Sequence, residues 1–435
     1  MEKANYKKNS ITLWGAVGLG TGVMVGAAIF AIIGQVAELA GPLFPLSYAG
    51  GAVIAACSAY AYVKMAHAHP SAGGIGMFFV QIYGKGTITA SSSLLMAISM
   101  IISESLVART FGTYTLQLFD VGPGSFLVPV LGVGLLVLVF IVNVSGNRFI
   151  QAFTSTASLI KIAGIVLFAL AALWVANFSF DGVVQSAPGQ SAGSFIGSMA
   201  LSLLAFKGFT TITNNGSEIV APHKNIGRAI VISIAICAFL YLLLSWAVSS
   251  SLTIAEIIAA KDYALAEAAR PLLGDFGLYF TVAIAILATV TVCIGSVFAV
   301  SRMTTMLTDM KLIPHSHFGM SGTVHRHMLV YIVVLAITLT IFFDLSRIAS
   351  LGAIFYLLMD IIFQWGVLRK RGDTVEANPI ILWAAMILDA AALGAFLWMK
   401  GASDPLIVIL AVVFILIIFF GEQFFLKRTS HKKDS

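Results

Sequence analysis

The sequence predicts an all-α polytopic membrane protein with twelve transmembrane helices, and three observations carry that prediction. Of 435 residues, 59% are hydrophobic and only 10% charged, where a soluble domain carries about 25% charged residues. The mean hydropathy is +0.98. Long uncharged runs cover 9–37, 126–144, 229–255 and 276–301, each sufficient for a helix to cross a hydrocarbon core about 30 Å thick. Third, the basic residues are sorted to one side of the predicted spans, as the positive-inside rule requires.

The elements follow in order. Residues 1–10, MEKANYKKNS, form a basic polar tail that runs straight into the first span. No short apolar region with a small-residue cleavage site follows it, so no removable signal peptide is expected. The spans are centred near residues 24, 55, 103, 135, 164, 205, 239, 289, 334, 357, 389 and 415. The third and eighth are long and extend past the bilayer on the cytoplasmic side. Residues 427–435 form a second cytoplasmic tail, and no loop is large enough for a separate domain. With the N-terminus inside, only Lys261, Arg270, Arg347 and Lys400 among the 25 Lys and Arg fall outside. Arg109, Lys161 and Lys207 lie within spans, and the rest are at inner loops, tails and helix ends. Both termini are therefore expected in the cytoplasm. The basic surplus reflects topology, and no nucleic acid partner is expected. Cys57, Cys237 and Cys293 sit inside spans without CxxC spacing, which argues against a disulfide framework and a zinc site.

Two spans break the rules of an ordinary membrane helix. GLGTGVMVGAAIF, residues 18–30, places Gly18, Gly20, Gly22 and Gly26 in the first span, although each interior Gly costs roughly 1 kcal/mol relative to Ala. Spacing alone allows either close helix packing through small residues or a discontinuous helix whose unwound backbone receives a solute. The sixth span tips the balance. AFKGFTTITNNG, residues 205–216, combines Lys207, Gly208 and a β-branched polar run. Interrupted helices at corresponding places in two five-helix halves point to an inverted-repeat transporter, with halves at 11–176 and 192–368 and two further helices at 379–426.

These segments resemble those of amino acid–polyamine–organocation superfamily permeases, with the prokaryotic proton-coupled, broad-specificity amino acid transporters most similar. GVMVGAAIF at 22–30 is similar to the first-helix motif G-x-x-[IV]-G-x-G-I-F, with Ala28 in place of the second Gly of its ending. HPSAGGIGMFF at 69–79 resembles the segment after helix 2, with Gly76 where Tyr is usual. LLAFKGFTTITNNGSEIVAPHKNIGRAI at 203–230 is similar to helix 6 and its following loop, with Ala221-Pro222 for Asn-Pro and Gly227 for the second Pro. SRMTTMLTDMKLIP at 301–314 resembles the end of helix 8. The resemblance covers nearly the whole chain and implies a LeuT-like fold, with helices 1 and 6 discontinuous. It implies that backbone at Val25, Gly26, Ala27 and Ala28 receives a substrate carboxylate. Carbonyls and the aromatic near Phe206 would receive the amine, with Lys207, Gly208 and Phe209 in the same site. Free N–H groups at a half-helix N-terminus suit an anion and carbonyls at a C-terminus suit a cation.

An ionisable residue inside a membrane is a functional candidate by default. Lys161 lies deep in the fifth span, and burial disfavours the charged form of an amine. By resemblance it is the proton-coupling switch, its ammonium set against carbonyls of helix 1 and hydroxyls of helix 8; the bland alternative is a structural lysine. Arg109, near the outer end of the third span, is expected in a structural or gating ion pair, with Glu104 five residues earlier as a partner across a bend or through water. Lys207 has three readings: binding an anionic substrate group, titrating together with Lys161, or pairing with Glu218, Glu104 or Asp360 to hold the helix break. Asp360 is expected to pair with a basic gate, while Asp389 belongs to a peripheral helix. The HxH spacing of His315 and His317, near His325 and His327, lacks acidic or cysteine partners, and neither a metal nor a cofactor is expected.

The expectation is a proton-coupled amino acid permease of the cell inner membrane, working by alternating access. An exchanger without proton coupling is the alternative. A channel would favour a continuous polar or charged ring, which these sparse charges do not supply. No HExxH, GxSxG or carboxylate pair near a His supports an enzyme.

Overall fold

Thr12 opens the first helix. Its side-chain oxygen accepts from the Gly15 N–H at 3.1 Å, satisfying one of the amides that a helix N-terminus leaves orphaned. The computed structural model describes residues 9–70, 74–145, 147–178, 191–313, 323–372 and 375–431. Lys3, Lys7 and Lys8 of the N-terminal tail, residues 71–73 of the helix 2 motif, His315 and His317, and residues 432–435 lie outside them. The described chain is helical almost throughout, with two isolated β-bridges.

Helix α1 (Leu13–Met24) ends inside the first predicted span. Val25 turns out of helical geometry at ψ 54, Gly26 is extended at φ −114 and ψ −150, and α2 (Ala27–Ala40) restarts immediately. The interruption expected from the glycine run is present. Gly26 is fixed by crowding, because a Cβ there would sit 2.6 Å from the Val23 carbonyl oxygen. A 3₁₀ turn, Gly41–Leu43, leads into α3 (Phe44–Ala68), and a short helix, α4 (Gly74–Tyr83), precedes α5 (Thr87–Gln117). The fourth and fifth spans are α6 (Leu127–Ser145) and α7 (Asn147–Val175).

The sixth span differs from expectation in form. It comprises α8 (Ala192–Ser202), a 3₁₀ stretch Leu203–Phe209, and the short α9 (Thr210–Asn214). The discontinuity is tighter winding rather than an unwound gap. Two causes are visible. The Thr210 and Thr213 hydroxyls donate to the carbonyls of Lys207 and Thr210 at 3.1 and 2.7 Å, competing with the helical ladder. A Cβ at Gly208 would lie 2.5 Å from the Met24 amide nitrogen, so glycine lets this stretch press against the end of α1. A long 3₁₀ stretch inside a helix often marks a hinge.

The remaining elements are α10 (Pro222–Ser251), α11 (Ile254–Ala259), α12 (Ala264–Asp309), α13 (Val324–Phe342), α14 (Leu345–Arg369), α15 (Pro379–Ser403) and α16 (Pro405–His431). Helix α12 breaks at Gly274 (φ 58), and only Leu273–Asp309 is apolar enough to span. Eleven stretches of the described chain are long and apolar enough to cross a membrane. The expected twelve become eleven through continuity: Ala28–Ala68 joins the outer half of span 1 to span 2, and α1 alone is a shorter apolar helix. Burial separates centre from periphery. In the span windows of Ala28–Ala68 and Thr87–Gln117, 78% is buried, against 22% for Pro405–Lys427. So α2, α3 and α5 are central, and α16 is peripheral.

Candidate functional site

Two cavities meet at the break in the first span. The smaller, of about 80 Å³, is bounded by Val23 and Ala28 on either side of the break, Ser99 and Glu104 on α5, Lys207 and Gly208 on the 3₁₀ stretch, Ser296 on α12 and Tyr356 on α14. The larger, of about 770 Å³, is bounded by Ile11, Gly18 and Gly22, by Ser158 and Lys161 on α7, by Thr211, Asn214 and Glu218, and by Thr291 and Arg302 on α12. Val23, Thr211 and Val292 line both. They form the wall between the two.

The break supplies both kinds of backbone group. Helix α2 begins with no side-chain cap at Gly26, so the first amides, including that of Ala28 beside the small cavity, have no intrahelical partner. The N–H groups of Val25 and Gly26 are taken, by Thr21 and Met24 carbonyls at 2.7 Å each. Tyr241 of α10 reaches in from behind: its hydroxyl lies 2.6 Å from the Met24 carbonyl and 2.9 Å from that of Ala205. One hydroxyl thus lies within donating reach of a carbonyl on each of the two interrupted spans. Phe206 packs edge-on against Tyr241 at 5.0 Å and Phe209 against Tyr62 at 5.3 Å. Among the residues expected in the substrate site, Ala28, Lys207 and Gly208 line the small cavity; Val25, Gly26, Phe206 and Phe209 are buried and do not line it.

Several intramembrane charges are placed differently from expectation. Arg109 is not paired with Glu104. Its guanidinium donates to the Thr340 and Phe343 carbonyls, at 2.9 and 2.5 Å, where α13 ends. Five residues along a helix turn the side chain by about 140°, so the two groups face different neighbours. Glu104 is fully buried, and neither carboxylate oxygen has a hydrogen-bond partner among the described residues. Ser296 and Cys293 face it without meeting hydrogen-bond geometry.

Lys207 makes no ion pair among the described residues. Its Nζ donates to Ser99 Oγ at 2.8 Å and to the Gly352 carbonyl at 3.4 Å, and lies 4.3 Å from the centre of the Tyr356 ring. Glu218 instead meets Arg302 at 3.4 Å. Asp360 accepts from the Tyr62 hydroxyl at 2.6 Å, not from a basic gate. Asp389 accepts from Ser58 at 2.8 Å and Gln364 at 2.6 Å, which buries a polar tie between α3, α14 and the helix expected to be peripheral.

Lys161 is 1% exposed. Its ammonium donates to the Gly22 carbonyl of α1 and lies 3.4 Å from Thr291 Oγ1 on α12. Those are the two elements that the sequence resemblance assigned to it. Among the described residues, no three His, Cys, Asp or Glu come together as metal ligands, and the three cysteines are free. Sequence reasoning missed Ser99, Ser296, Tyr241 and Tyr356, since nothing distinguishes them from other polar residues in apolar helices.

Comparison with known proteins agrees with this geometry. At 28% identity, the chain is similar to the inner membrane transport protein YbaT of Escherichia coli, over 96% of this chain and 97% of that protein. An uncharacterized protein of Methanocaldococcus jannaschii is 32% identical over 68% of this chain and 65% of its own length. The serine/threonine exchanger SteT of Bacillus subtilis is 24% identical over 84% of this chain and 85% of its own. A family model described as amino acid permease matches residues 11–432. With a helix broken beside a cavity at mid-span and a family match along almost its whole length, the chain belongs to the amino acid permeases, a family of multi-pass membrane transporters rather than enzymes.

Proposed function

We propose that the chain is a secondary active transporter of the cell inner membrane, with both termini cytoplasmic, that couples amino acid movement to protons by alternating access. The observation that carries this reading is Lys161, a buried amine bonded to the Gly22 carbonyl of the short helix α1. A protonated lysine has three donors and no acceptor, so it can tie α1 to α7 and α12 at once. Loss of the proton removes the charge that makes the Gly22 bond strong, and α1 is freed to move. Substrate fills the small cavity, its carboxylate on the free amides at the start of α2 and its amine toward carbonyls at the end of α1 and in the 3₁₀ stretch. The larger cavity is the route to the cytoplasm. Spans 1–5 and 6–10 act as the two inverted repeats, with interruptions at corresponding positions.

A proteoliposome assay tests the coupling. Wild type is expected to accumulate a labelled amino acid above its outside concentration when a proton gradient is imposed. Lys161→Ala is expected to exchange substrate but lose gradient-driven accumulation. Unchanged accumulation and pH dependence in Lys161→Ala would refute the coupling role. SteT is named as an exchanger, and that result would favour exchange without protons here.

A further inference from the structure

The small cavity contains an opposed pair that neither the family match nor the backbone sites account for. Among the described residues lining it, Glu104 and Lys207 are the charged ones. They are not in salt-bridge contact. Lys207 is held by Ser99, Gly352 and Tyr356, which line the same cavity. Glu104 is buried at 0% exposure with both oxygens unpartnered. A buried, unpartnered carboxyl carries the full cost of its lost water, unless something enters the cavity and bonds it.

We infer that Glu104 and Lys207 together form the side-chain subsite, and that they select small amino acids with a neutral side chain that both donates and accepts hydrogen bonds, a hydroxyl or a short carboxamide. The inference rests on the small cavity being the substrate site. Net charge supplies the selection. With one titratable proton between the two groups, on the amine or on the carboxyl, the pair sums to zero. A side chain bringing its own charge enters this low-dielectric space with nothing to neutralise it, which is costly. An acidic side chain meets Glu104, and a basic one meets Lys207. A hydroxyl or carboxamide can donate to one and accept from the other. Size sets the second limit. A cavity of about 80 Å³, where one water needs roughly 10–15 Å³, accommodates on the order of six water-sized groups. That is about the count of non-hydrogen atoms in a small amino acid.

The test uses the full chain in proteoliposomes, with uptake of labelled L-serine as the probe. Three competitors with four-carbon skeletons differ in charge: asparagine, aspartate and 2,4-diaminobutyrate. Alanine removes the side-chain polar group. In wild type, serine and asparagine are expected to compete, alanine about tenfold more weakly because the polar pair is left unbonded, and the two charged analogues hardly at all. Glu104→Gln removes the group that repels an acidic side chain and leaves the Lys207 amine to take up a proton as its counter-ion, and aspartate is expected to gain at least tenfold relative to asparagine. Lys207→Met removes the group that repels a basic side chain and leaves the Glu104 carboxyl to ionise against it, and 2,4-diaminobutyrate is expected to gain likewise. Competition by aspartate or diaminobutyrate equal to that of asparagine in wild type overturns the inference, even if neither variant folds. Variants that weaken every competitor alike also overturn it, while leaving the cavity as the substrate site. If no amino acid on the panel enters or competes, the site assignment itself falls and takes the inference with it.

Discussion

Tyr241 does with one hydroxyl what a pair of interrupted helices needs done twice. Its proton can go to Met24 or to Ala205 but not to both at once. Tyr241→Phe removes that donor and leaves a buried carbonyl short of a partner, a loss of about 1–3 kcal/mol. The expected outcome is a lower unfolding temperature in detergent together with weaker substrate uptake. An unchanged melting profile and unchanged uptake would remove Tyr241 from the description of the site. Arg109 is the contrasting case. Its bonds to the Thr340 and Phe343 carbonyls end a helix, and charged hydrogen bonds of this kind contribute about 1.5–3 kcal/mol. Arg109→Met is expected to lower thermal stability while leaving the pattern of competing amino acids intact; a changed pattern would place Arg109 in recognition. At this scale the sequence was uneven as a guide. Lys161 was legible because an amine in an apolar run has few places to go. The separation of Glu104 from Arg109 was not, because two charges five residues apart look adjacent in a string and point apart on a helix. Ser99 and Tyr356 could not be singled out, since their role is created by Lys207 arriving from another span.

The broken spans were legible at the scale of elements, though not in their form. Four glycines in the first span allowed either close packing or an interruption, the sixth span favoured the interruption, and the chain leaves helical geometry at Val25 and Gly26. The sixth span carries a single glycine in its central stretch, and the chain there tightens instead of opening. Its hydroxyl-to-carbonyl bonds depend on rotamers that spacing does not reveal. Gly208→Ala tests the contact between the two. The added methyl would press on the Met24 amide nitrogen, which is backbone and cannot step aside. Substrate uptake is expected to fall by tenfold or more, equivalent to about 1.4 kcal/mol on the barrier, with the protein still folded by size-exclusion profile. Normal uptake would mean that the two spans do not meet as described. Asp389 shows the opposite lesson. Its helix looked peripheral by position, yet buried bonds to Ser58 and Gln364 tie it to the centre.

Across the whole molecule, ion pairs gather at the two ends. At the end expected outside, Lys261 meets Glu38 at 3.1 Å, Arg270 meets Asp120 at 3.0 Å and Arg347 meets Asp404 at 2.7 Å. At the other end, the Arg302–Glu218 pair and the Ile11–Ile219 bridge flank the larger cavity. This arrangement predicts sidedness. In a variant lacking the native cysteines, Gly18→Cys is expected to react with a membrane-impermeant thiol reagent from the cytoplasmic face, and Glu38→Cys from the outside. Reversed labelling would invert the topology. Exposed ion pairs contribute little each and weaken with salt, so these outer pairs are expected to weaken at high ionic strength before the less exposed Arg302–Glu218 pair.

Val23, Thr211 and Val292 stand between the two cavities, one from each of three different elements. All three branch at Cβ, and such side chains have few χ1 positions to choose from. A phenylalanine or methionine in that place could swing aside in nanoseconds and let a solute slip through like a turnstile. These three cannot. The septum behaves as a sluice that lifts only when a whole stretch of backbone carries its side chain away, on the microsecond-to-millisecond clock of helix motion. Leakage of water and ions between turnovers is then suppressed by rotamer stiffness, without any bulky plug.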